Sequence, residues 1–188
     1  MIRRFLFLIA IVQVLISTLV WGVTQPVVVK NKTEQLVKAD VDQLRQDVQT
    51  LCSTPKPRNA KNINSLNQAA GYIAGEWKQL GLKVDTQAYQ VDNQTYMNLI
   101  CSFGPEDAER LIIGAHYDVC ENQAGADDNA SGTAGLLELA RLLKEHQPNL
   151  NHRIDLVAYT LEEPPYFRSQ YMGSAVHAKY LHDHEIKV

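Results

Sequence analysis

The run Leu111–Ala115 and the stretch Ile154–Thr160 constrain this chain most. Both are short, bounded by polar residues and rich in aliphatic side chains. Runs of this kind read as strands buried on both faces, because a helix needs a longer periodic pattern to build an apolar stripe. Between them Leu136, Leu139, Ala140 and Leu143 recur at helical spacing. Strand, helix and strand in that order predict a parallel pair inside an α/β fold whose mixed sheet is covered on both faces. Ligands of such sheets sit beyond the carboxyl ends of the strands. His116 and Glu162 stand at those ends.

Upstream, Leu36, Val37, Val41, Leu44, Val48 and Leu51 predict an amphipathic helix over Thr33–Cys52, ended by Pro55-Lys56-Pro57. A second helix is expected over Ser65–Leu80, with Gly81 as its C-terminal cap. The period then falls to two. Val84–Val91 and Tyr96–Phe103 read as an antiparallel hairpin turning at Asp92, Asn93 and Gln94. Gly173–His184 reads as a last helix.

The chain has 188 residues, a formal charge of -3 and a pI near 6.1, which gives no basic footprint for nucleic acid. Arg3 and Arg4 precede a nearly unbroken apolar run from Phe5 to Val23. Such a segment is either a cleaved signal peptide or an uncleaved signal anchor, so residues 1–25 are assigned to export or anchoring and 26–188 to the folded portion. The exit, Val20-Trp21-Gly22-Val23-Thr24-Gln25-Pro26, lacks an A-x-A-like cleavage pattern and leans toward the anchor. Either way the remainder is expected on the periplasmic or extracellular side, with the membrane as a partner of residues 5–23. Three cysteines, Cys52, Cys101 and Cys120, form no CxxC and read as packing residues or as one disulfide with a free thiol.

Three clusters carry chemistry: His116-Tyr117-Asp118, Gly125-Ala126-Asp127-Asp128-Asn129-Ala130-Ser131-Gly132, and Glu162-Glu163. Imidazole nitrogen and carboxylate oxygen are the donors that zinc takes, and a hydrolytic site also needs a free carboxylate as base. Asp118, two residues past His116, is placed to orient the ring. In the second cluster glycines bracket two acids ahead of a helix starting near Thr133, an arrangement that an acidic turn capped by Ser131 would also explain. The glutamate pair ends a buried strand and precedes Pro164-Pro165-Tyr166-Phe167, which confines the two charges. Neighbouring side chains point apart, so one glutamate can bind metal while the other faces water.

Together HYD, GADDNASG, LEE and the Met172-Gly173-Ser174 segment resemble the co-catalytic zinc aminopeptidases of the aminopeptidase Y and bacterial leucyl aminopeptidase type, to which the glutaminyl cyclases are related. The resemblance covers about Asn98 to Lys179. It implies an α/β/α sandwich around a mixed, largely parallel sheet and a site for two zinc ions. His116 would bind one ion, Asp128 would bridge both, Glu163 would bind the other, Glu162 would be the general acid/base, and Asp118 would support His116. Asp128 is preferred to Asp127 because the family's bridging aspartate precedes the Asn-Ala-Ser-Gly type of sequence. The implied substrate is a peptide that loses its N-terminal residue.

The family's remaining acidic ligand and late histidine have no counterpart before Val188, so the sheet is expected to be incomplete at the C-terminus and the chain to be the N-terminal portion of a longer enzyme. His177, His182 and His184 do not match the missing histidine's context. Tyr166, Phe167 and Tyr171 are candidates for a hydrophobic subsite or for plain packing. Three functions stay open: a metal-dependent aminopeptidase, an inactive peptidase-like binding module, and a glutaminyl cyclase-like enzyme. The donor set also accepts manganese or cobalt in place of zinc.

Overall fold

The computed structural model describes residues 2–24 and 37–188. It divides into two compact units, Met1–Leu36 and Val37–Val188. In the first, helix α1 (Ile2–Thr24) exposes Phe7, Leu15, Leu19, Trp21 and Val23, while Thr18 and Thr24 return their hydroxyls to the carbonyls of Val14 and Val20. Among the described residues no helix is long and apolar enough to cross a membrane, so the anchoring assignment rests on the sequence pattern.

The second unit holds helices α2 (Val41–Cys52), α3 (Ile63–Gln79), α4 (Ser131–His146) and α5 (Gly173–Asp183), and strands β1 (Val84–Val91), β2 (Gln94–Phe103), β3 (Arg110–His116) and β4 (Arg153–Tyr159). The strands form one sheet in the order β1-β2-β4-β3. Along β2 and β4, Leu99, Cys101, Leu156 and Ala158 share a core with Leu66, Ala69, Ile73 and Trp77 of α3 and with Leu136, Leu137 and Ala140 of α4. Alternate positions point the other way. There α5 sets His177 against the Tyr159 ring and Gln87. The sheet is thus a middle layer between helices, the expected α/β/α architecture.

Several boundaries depart from the sequence reading. Only β3 and β4 run parallel, whereas β1–β2 and β2–β4 are antiparallel, so the sheet is mixed rather than largely parallel among the described strands. The first amphipathic helix begins at Val41 instead of Thr33, because the Asp40 carboxylate accepts from Asp42 N and Gln43 N and caps it there; residues 33–36 lie outside the described chain. The hairpin turns on Asp92 and Asn93 alone, at φ of 48° and 63°, and Gln94 already pairs with Val91. Asp155 to Ala158 of β4 are buried as expected, but β3 is an edge strand whose Leu111 is 53% exposed. An apolar run registers affinity for burial, not the number of neighbours a strand receives. All three cysteines are free, so no disulfide forms.

Charge also pins the layers. Arg141 of α4 pairs with Asp47 of α2 at 2.7 Å and Glu76 of α3 at 2.8 Å, and Tyr72 donates its hydroxyl to Asp47. Buried charges of this kind persist only when their hydrogen-bonding capacity is filled.

Candidate metal centre

Parallel pairing of β3 with β4 sets His116 opposite Tyr159, so the chain leaves both strands at one end of the sheet. Past β3, Asp118 is almost fully buried. Past β4, Leu161 takes a left-handed φ of 58° and turns the chain so that Glu162 N and Glu163 N both donate to the Asp118 carboxylate, at 3.2 and 3.0 Å. That conformation costs a non-glycine residue about 1–3 kcal/mol, which the surrounding contacts must offset.

His116 is held from three sides. Its carbonyl accepts the Thr133 hydroxyl at 3.0 Å, and its Nδ1 lies 3.1 Å from the Asp118 carbonyl and 3.4 Å from the Asp118 carboxylate. A carbonyl only accepts, so Nδ1 carries the proton and Nε2 is the free donor atom of the neutral ring. Nε2 lies 2.9 Å from Asp128 Oδ1 and 4.0 Å from Glu163 Oε1. Burial by itself lowers the His116 pKa, but bonding to Asp118 and the nearby Asp128 charge outweigh it and push it up to about 9. Burial, then the Asp128 charge, raises the pKa of Glu163. Crowded carboxylates around an imidazole favour a bound cation, which would take the place of the shared proton.

Asp128 reaches this point through a kinked segment, Ala126–Ala130, in which Asp128 and Asn129 leave helical geometry. The segment opens at Gly125, whose φ is 64° and where a Cβ would strike Val119 and the Asp128 carbonyl. Asp127 stays outside the cluster, and its carbonyl accepts the Ser131 hydroxyl. Helix α4 starts at Ser131, two residues before the expected Thr133, with no side-chain cap.

Among the described residues His116, Asp128 and Glu163 form the one such group of donors, with ligand atoms all within 4.8 Å of one another. Oxygen and nitrogen donors around a tetrahedral zinc ion at ~2.0–2.2 Å stand roughly 3.3 Å apart. The separations of 2.9 and 4.0 Å from His116 Nε2 bracket that value, and all three ligand atoms lie within 4.8 Å of one another, so side-chain rotation can bring the three onto one zinc ion. Glu162 is set apart: its carboxylate accepts from Ser174 N at 2.6 Å and from Ser174 Oγ at 2.8 Å. His177 is buried on α5, while His182 and His184 are exposed, and none joins the cluster.

Arg58 escaped the sequence reading. Only 1% exposed, it donates Nε to Tyr117 O at 2.9 Å, Nη2 to Gly125 O at 2.6 Å, and Nη1 to Leu51 O and Ala124 O. Its carbonyl accepts from Val119 N, and Asn59 beside it donates to Glu121 O. The loop after α2 thereby fastens two of the three segments that carry donors, the one that follows His116 and the one that leads to Asp128. No local periodicity marks such a residue; the one hint is an arginine set between Pro57 and Asn59.

Of the aromatic residues, Tyr166 packs edge-on against Tyr96 and Tyr171, at 6.3 and 6.1 Å, and donates its hydroxyl to Asp92. Phe167 stays exposed under the Arg168 guanidinium. An open cleft lined by Asn59, Lys61, Glu121, Pro164 and Pro165 lies next to Glu163 along the chain.

Asp118 spends its carboxylate on the Glu162–Glu163 backbone, so Asp118→Asn loses one of two acceptors there. Zinc affinity is expected to fall about 10–100-fold, as for other groups that orient metal ligands, read by calorimetric titration. An unchanged affinity would remove Asp118 from the support of the site.

The chain is similar to known proteins. A model of Peptidase family M28 matches residues 98–187, the span that contains every residue of the cluster. The uncharacterized protein YfbL of Escherichia coli is 47% identical over 148 residues, covering 74% of this chain and 45% of YfbL. Aminopeptidase YwaD of Bacillus subtilis is 33% identical over 98 residues, 50% of this chain and 20% of YwaD, so this chain spans less than half of the length of either relative. The crystal structure of Fimbriiglobus ruber glutaminyl cyclase superposes with a TM-score of 0.66 at 25% identity, covering 86% of this chain and 61% of that one. On this match, and on the cluster it encloses, residues 98–187 are similar to peptidase family M28.

Proposed function

We propose that this protein is a zinc-dependent aminopeptidase that removes N-terminal residues from peptides. The observation that carries the reading is the convergence of His116, Asp128 and Glu163, with the adjacent Glu162 carboxylate held outside the cluster. His116, Asp128 and Glu163 would hold the metal, with Asp128 bridging to a second ion in the dinuclear form. Bound zinc supplies a more acidic water and a polarised carbonyl. Glu162 takes a proton from the attacking water as its oxygen bonds to the carbonyl carbon, and delivers that proton to the amine nitrogen as the C–N bond breaks. Asp118 and Thr133 hold His116 at its carbonyl and ring, so the donor geometry is set before the substrate arrives. The cleft bounded by Asn59, Lys61 and Pro164 offers the peptide an approach. We further assign the domain to the outer side of the membrane, carried there by the run from Phe5 to Val23.

A second reading is supported by the one group of three donors among the described residues, which suits one ion, and by the likeness to the Fimbriiglobus ruber cyclase. There the α-amine of an N-terminal glutamine would attack the side-chain amide carbon and release ammonia, with Glu162 moving the proton from amine to leaving nitrogen.

The test is zinc stoichiometry of the full chain together with two assays, aminoacyl-anilide hydrolysis and pyroglutamate formation from a glutaminyl peptide. Zinc-dependent anilide hydrolysis that a chelator abolishes is the expected result. Pyroglutamate without hydrolysis would establish the cyclase instead, and bound zinc with neither product would leave a peptidase-like binding module.

A further inference from the structure

Helix α5 begins unusually close to the end of β4. Gly173 N donates to Thr160 O at 2.8 Å, and the fully buried Asn98 ties the two together, donating to Gly173 O at 2.8 Å and accepting from Thr160 N at 3.2 Å. A Cβ at 173 would collide with Asn98 Oδ1 and with the Thr160 backbone, so the approach requires glycine. Its consequence falls on the next residue. Ser174 presents its N–H to Glu162 Oε1 at 2.6 Å and its hydroxyl to Oε2 at 2.8 Å. The amide belongs to the first turn of an 11-residue helix, where N–H groups lack helical partners and a carboxylate is favoured.

Glu162 and Glu163 are adjacent carboxylates at one metal centre, and an unrestrained Glu162 could enter the cluster as another oxygen ligand. Asp118 fixes the backbone of both residues but neither side chain. Ser174 fixes the Glu162 side chain alone, through both oxygens. We propose that Ser174 is the positioning residue that keeps the Glu162 carboxylate beside the metal centre and out of its ligand set. Its catalytic meaning rests on Glu162 being the general base; the pairing itself does not.

The experiment compares the full chain with Ser174→Ala and Ser174→Thr, all loaded with zinc. Ser174→Ala is expected to lower kcat for an aminoacyl anilide about tenfold, with KM and thermal midpoint little changed and zinc bound as tightly or more tightly. Ser174→Thr, which keeps a hydroxyl in the same place, is expected to recover most of kcat. An unchanged kcat in Ser174→Ala, or a loss that tracks weakened zinc binding, would overturn the proposal. If the wild type turns over no substrate, the aminopeptidase reading falls, and the pairing is decided by the Ser174 amide proton. That resonance should lie downfield and move upfield in Glu162→Ala; no movement would overturn the pairing.

Discussion

Replacing Glu162 with glutamine is expected to lower hydrolysis of an aminoacyl anilide by about 10²–10⁴-fold, the range that a positioned general base supplies. Zinc binding should survive, because Glu162 lies outside the candidate cluster of His116, Asp128 and Glu163. Glutamine keeps the shape of the side chain and can still accept from Ser174, so the fold and the α5 contact should persist while the proton acceptor is lost. Glu163→Gln should behave differently, losing metal and activity together. The measurement is steady-state kinetics beside zinc titration of both variants. Equal loss of zinc in both would place Glu162 among the ligands and sink its role as base.

Arg58→Met is expected to destabilise the protein by about 4 kcal/mol or more. The side chain is buried and serves the carbonyls of Leu51, Tyr117, Ala124 and Gly125. Methionine fills similar space but donates nothing, and each carbonyl left buried without a partner costs about 1–3 kcal/mol. Two of those carbonyls belong to Tyr117, directly after His116, and to Gly125, which opens the segment carrying Asp128. Zinc affinity should therefore fall about 10–100-fold as well, since the donors lose their common support. Urea denaturation gives the first quantity and calorimetry the second. Arg58→Lys serves where Arg58→Met fails to fold, because it keeps one charge and a smaller set of donors. Full zinc affinity in a folded variant would mean that the loops hold their shape without Arg58.

Several elements of the fold were legible in the sequence. Strand β1 falls where the period-two pattern placed it, and β4 and α5 fall within one residue of theirs. These signals are local: each is an alternation of side chains along one segment. The sheet was less legible. Leu111–Ala115 reads like Ile154–Thr160, yet the former lies at an edge and the latter between two neighbours, and β2 approaches β4 antiparallel. Hydrophobic pattern records which residues leave water, not which strand they meet.

The sequence by itself determined the order and type of the donors: a histidine at the end of one strand, an acid in a glycine-bracketed loop, and a glutamate pair after the next strand. It could do so because each group stands at a boundary that composition marks. Tertiary structure alone decided how closely they approach one another, with Asp128 Oδ1 2.9 Å from the His116 ring, and that Asp118 serves the glutamate backbone as well as the imidazole. It also decided the supports, Arg58 reaching Tyr117 across 59 residues and Ser174 reaching Glu162 across 12. Those contacts join segments that no helical or strand period relates. Their partners are backbone carbonyls and a turn-held carboxylate, and these meet only when the sheet and its helices have packed.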